Sequence, residues 1–74
     1  MSHPSGWIEK GKRIVRTHHG RELAVWRDGT WRWSLDGVVA TKGETTERVA
    51  CNKAVVAGAR GRLPDQRYRN GHAP

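Results

Sequence analysis

Two Asp-Gly dipeptides, Asp28-Gly29 and Asp36-Gly37, stand eight positions apart between runs rich in Trp, Val and Leu. Asp-Gly is favoured in two-residue β-hairpins. Both central residues there take positive φ, which Gly adopts without strain and Asp tolerates. Two such turns at this spacing define an antiparallel meander, with strands expected at Arg21–Arg27, Thr30–Leu35 and Val38–Lys42. A fourth strand is expected at Lys12–Thr17, where Ile14 and Val15 are β-formers, followed by a His18-His19-Gly20 loop. Trp7 and Ile8 either join that strand or cap the core from the N-terminal side.

After Gly43 the pattern changes. Glu44-Thr45-Thr46-Glu47 offers hydroxyl caps and early acids, and Ala, Val, Lys and Arg then run without Pro to Arg60. Gly61, with Leu63-Pro64 behind it, supplies the stop. A helix is therefore expected from Thr46 to Arg60, capped by Thr45 or Glu44, with Gly58 weakening its last turn. The fold class is α+β: a three- or four-stranded antiparallel meander with one C-terminal helix packed on one face. Residues 1–6 and 62–74 are polar, Pro-bearing and without apolar periodicity, so they read as flexible tails around a single domain at 7–61.

Two-residue turns fix register, and register assigns faces. If Arg27 opposes Thr30 and Trp26 opposes Trp31, then Ala24, Trp26, Trp31, Trp33, Leu35, Val38 and Ala40 share one face, the expected core. The other face then carries Leu23, Val25, Arg27, Thr30, Arg32, Ser34, Val39 and Thr41. On the helix, Thr46, Ala50, Ala54 and Ala57 form a stripe of small side chains that suits close approach to large indoles. Val49 and Val56 fall outside the stripe. They are expected at the sheet margin or against the N-terminal segment, with a partner contact or weak homodimer as the alternatives.

The 74 residues carry fourteen Lys plus Arg, ten of them Arg, against seven Asp plus Glu, a net charge of +7 that points to an anionic partner. A chain this small hides only about 60% of its unfolded surface, so a large internal substrate cavity is not expected. No apolar run approaches the roughly 20 residues of a membrane span. The N-terminus has no signal-peptide pattern, and the single Cys51 excludes an internal disulfide. A cytoplasmic protein is expected. Adjacent His18 and His19 point apart in extended chain, and Cys51 has no ligand partner at zinc spacing, so no metal site is expected. Asp28 and Asp36 are turn residues before they are acids. With no phosphate loop, nucleophile motif or carboxylate pair, no enzymatic activity and no cofactor are expected.

Arg forks suit phosphate oxygens and the guanine edge, and small hydroxyls donate to the nucleic-acid backbone. Arg27 and Arg32 among Thr30, Ser34 and Thr41 therefore form the candidate nucleic-acid surface. Arg13, Arg16 and Arg21 widen it, and Arg60, Arg62, Arg67 and Arg69 add a basic C-terminal arm. The competing reading is that these Arg solubilise an open sheet face and cover it with their aliphatic stems. Trp26 and Trp33 are assigned to the core rather than to base stacking.

The stretch from Trp26 to Leu63 holds Trp-Arg-Asp-Gly-Thr-Trp-Arg-Trp-Ser-Leu-Asp-Gly, then Gly43-Glu44-Thr45-Thr46 and an Ala-rich helix. It resembles the three-stranded-sheet-plus-helix DNA-binding modules of plant ethylene-response-factor domains and of tyrosine-integrase arm-binding domains. That resemblance implies DNA rather than RNA as partner, with the exposed sheet face entering the major groove. The Gly-Val-Arg opening and acidic helix start of the plant domain are absent or altered here. Small free-standing chains of this kind also resemble phage or prophage products, including anti-CRISPR inhibitors. The alternative implied is a protein inhibitor of a host defence complex that docks on a partner protein's surface.

Overall fold

In the computed structural model, residues 4–63 are described. Five strands follow in chain order: β1 (Ile8–Lys10), β2 (Arg13–His18), β3 (Arg21–Asp28), β4 (Thr30–Leu35) and β5 (Val38–Val39). All neighbours pair antiparallel in the order β1-β2-β3-β4-β5, a simple meander. The helix α1 (Glu47–Arg60) follows and packs on one face, chiefly over β3 and β4. This is the expected α+β architecture with an added N-terminal strand. Ile8 pairs with Val15 in that strand, and the neighbouring Trp7 is buried in the core.

The turns explain the register. At Asp36-Gly37 both residues have positive φ, +50° and +85°, as a type I′ hairpin requires, and Leu35 faces Val38 as expected. His19 and Gly20 do the same between β2 and β3, at +54° and +75°, so that connection is a two-residue turn and His18 belongs to the strand. Asp28-Gly29 behaves differently. Only Gly29 has positive φ, and it lies alone between paired Asp28 and Thr30.

The sequence expectation for this hairpin is therefore off by one residue. Arg27 faces Trp31, and Trp26 faces Arg32. A shift of one residue turns every side chain of β3 to the opposite face. Leu23 and Val25, expected outside, are fully buried, whereas Trp26 lies on the open face and is only partly buried. The physical reason is space beneath the helix. Leu23 and Val25 join Ile14, Trp33 and Leu35 there, and a Cβ added to Gly58 would sit only 3.2 Å from Leu23. The helix lies close over β3, so that strand turns its branched aliphatics beneath it and leaves the larger Trp26 indole to the open face.

The helix brings the expected small residues to the sheet: Ala50, Ala54 and Ala57 are buried, with Cys51 and Gly58 beside them. Thr46 is the cap, and its hydroxyl accepts from the Val49 N–H at 3.2 Å, one residue later than expected. Gly61 stops the helix in the left-handed region at φ +82°, its N–H donating to the Ala57 carbonyl at 2.7 Å. Leu63, read from sequence as tail, is 2% exposed and closes the core beyond that stop. Trp31 and Glu44 exchange backbone hydrogen bonds of 2.8 Å, which tie the connection from β5 to α1 back onto β4.

Candidate nucleic-acid interface

Residues directly opposite one another across a sheet share a face. Following the pairings outward from Trp26 gives a row across four strands: Lys10 on β1, Arg13 on β2, Trp26 on β3 and Arg32 on β4. All four lie on the face that the helix leaves open. The Arg13 guanidinium stands over the Trp26 ring at 4.4 Å from its centroid, a cation–π contact that holds both side chains. Arg32 is anchored at the other end. Its Nη2 donates to the Ala40 carbonyl at 3.3 Å, and its buried Nε has no hydrogen-bond partner among the described residues.

Beside this row runs a second one: Ile8, Val15, Ala24, Ser34 and Val39, one residue from every strand. Its centre is low because Ala24 and Ser34 are small, while Ile8 and Val39 at the two edges are exposed. The result is a shallow trough of about 340 Å³ with Ala24 and Ser34 at its floor and Lys10, Arg13, Val15 and Glu22 around it. Lys10 and Arg13 thus border a mixed trough that also holds the Glu22 carboxylate, while Trp26 and Arg32 continue the row beside it.

The register shift divides the residues read from sequence as a binding surface. Arg32, Thr30 and Ser34 lie on the open face, and Thr41 is exposed in the connection beyond Ala40. Ser34 is only 3% exposed, so it forms floor rather than a projecting hydroxyl. Thr30 lies against the backbone of Gly43, where an added Cβ would strike its side chain. Arg27 moves to the helix-side face, exposed near the hairpin end, with its guanidinium 5.8 Å from the Trp31 ring. Arg16 also turns to that side and donates to the Ser5 carbonyl at 3.4 Å. Arg21 pairs with Asp36 at 3.6 Å and lies against Gly61 at the end of the helix. Arg62 is exposed just past the helix, away from the row. Arg67 and Arg69 lie outside the described residues.

Lys10 and Trp26 are the members of the row that sequence reasoning missed, and it gave Arg13 only a supporting place. The signal was present in the alternation of β3, but it points to Trp26 only once the correct register is known. Groups with chemical potential lie elsewhere. Burial pushes the Cys51 thiol up to about 11, with nearby Glu47 adding to the shift and Arg16 opposing it, so the thiolate is suppressed. Desolvation lowers the His18 pKa, with the positive charges of His19 and Arg16 acting in the same direction. Among the described residues no group of three or more His, Cys, Asp or Glu is placed to hold a metal ion, and no helix is long and apolar enough to cross a membrane. No protein-family model, curated protein or solved structure matches the chain.

Proposed function

We propose that the protein is a non-enzymatic nucleic-acid-binding module and that its open sheet face carries the contact. The observation behind this reading is the Lys10–Arg13–Trp26–Arg32 row, three cations and an indole side by side across the open face. Cations track phosphates, and an aromatic set among them offers a face for a base, the combination that suits single strands. The row crosses three inter-strand gaps of about 4.8 Å, so it spans about 14 Å before side chains are added. A B-DNA major groove is about 12 Å wide and admits a helix or a two-stranded ribbon. The width of the five-stranded sheet therefore favours a single strand laid across the face over insertion into a duplex. Arg32 remains from the surface read in the sequence, while Arg13 and Lys10 take the place of Arg27.

The test is fluorescence polarisation with labelled single-stranded DNA, single-stranded RNA and duplex DNA over a salt series. Binding that weakens steeply with salt is expected, and each phosphate contact removed by Lys10→Ala or Arg13→Ala lowers the magnitude of the salt slope on single strands by about 0.7. Single strands are expected to bind more tightly than duplex. Absence of binding at low salt, or Arg13→Ala and Lys10→Ala proteins that bind like the parent, overturns the reading.

A further inference from the structure

A second surface lies on the helix layer, apart from the open sheet face. Between α1 and the chain just past it runs a groove of about 430 Å³ whose apolar lining is Val49, Val56, Ala57 and Leu63. Val49 and Val56 are 37% and 50% exposed, contrary to the expectation that they pack at the sheet margin or under the N-terminal segment. Val55, not Val56, turns to the core. Val49 and Val56 are seven residues apart, two helical turns or about 10 Å, and so present one apolar line.

The groove is bordered by Lys53, Arg60 and Arg62, and among the described residues no acidic side chain lines it. Lys53 is already paired with Glu44 at 3.5 Å, whereas Arg60 and Arg62 are exposed. This charge pattern selects among occupants. A second copy would bring the same cations against themselves. The chain's own continuation over 64–74 carries Arg67 and Arg69 against Asp65 and has the same sign as the border. An acidic segment with an apolar edge is the complement in both respects.

We propose that this groove docks an acidic, amphipathic segment of a partner protein, with apolar side chains seated between Val49 and Val56 and carboxylates on Arg60 and Arg62. The site is independent of the sheet face, so each is engaged without the other. The experiment uses the full chain and a fluorescein-labelled peptide of about four helical turns, with Leu along one face and Glu elsewhere. Two controls accompany it: the same composition with Leu scattered around the helix, and the Leu-faced peptide with Lys in place of Glu. The first peptide is expected to bind, and both controls to bind at least about tenfold more weakly.

Val56→Asp is expected to cost at least about tenfold in affinity, and so is the exposed pair Arg60→Glu/Arg62→Glu. The charge-reversed pair decides the matter if Val56→Asp alters the circular dichroism. Saturating oligonucleotide is expected to leave peptide affinity unchanged, which separates this site from the sheet face. No binding of the Leu-faced acidic peptide overturns the proposal. Equal binding of the scattered peptide does so too, as does a dimer mass by light scattering that Val56→Asp abolishes.

Discussion

Trp33 is 2% exposed at the centre of the core, and its indole N–H is buried without a partner among the described residues. Trp33→Ala is expected to cost about 3–5 kcal/mol by urea denaturation, close to the whole stability of a domain this size. Trp33→Phe keeps most of the apolar contact and removes the orphan donor, so it is expected to lose much less. Gly43 makes a different demand. Its Cβ, were there one, would lie 2.8 Å from Thr30 Cβ and closer still to the hydroxyl. Gly43→Ala is expected to destabilise by about 1–3 kcal/mol, and Thr30→Gly in the same chain to recover part of that loss. The lowered pKa of His18 also has a consequence. The folded state resists protonation there, so the contribution is present above the ordinary value of 6.5 and is lost as pH falls through the lowered folded value. The urea midpoint should therefore fall as the pH drops below about 6.5, and fall less in His18→Gln.

The two Asp-Gly turns show how much of the elements was legible. The same dipeptide forms two geometries, because local preference permits both and the packing of the flanking strand decides between them. Asp36 sits at φ +50°, its carboxylate accepts the Glu22 N–H at 2.8 Å, and it pairs with Arg21. Asp28 has neither the positive φ nor any of those contacts in the described structure. Asp36→Ala is therefore expected to cost about 1–2 kcal/mol and Asp28→Ala less than about 0.5, measured by thermal or urea unfolding. The helix was readable because its cap, small-residue stripe and terminal Gly agree with one another. β1 was not, since Ile8-Glu9-Lys10 carries one apolar residue and takes its conformation from pairing with β2. Leu63 was missed because a single apolar residue has no periodicity, although its position just past a C-capping glycine signals a chain folding back on its helix.

At the scale of the molecule, one shifted hairpin relocates the candidate site. Charge alone indicated an anionic partner, and the strand pattern indicated a sheet face. Which arginines share that face depended on one residue of register. Arg27 left it, and Arg13 and Trp26 took the centre. The large aromatics divide accordingly: Trp33 and Trp7 are core, Trp31 packs at its edge, and Trp26 belongs to the open surface. That division makes the indole N–H signals direct reporters. In a nitrogen–proton correlation spectrum titrated with a single-stranded oligonucleotide, shifts are expected at the Trp26 indole and at the backbone amides of Lys10, Arg13 and Arg32. The Trp33 indole and the α1 amides should stay still. Shifts confined to α1 and the residues around Arg62, or an unmoved Trp26 at saturating oligonucleotide, would contradict binding at the open sheet face.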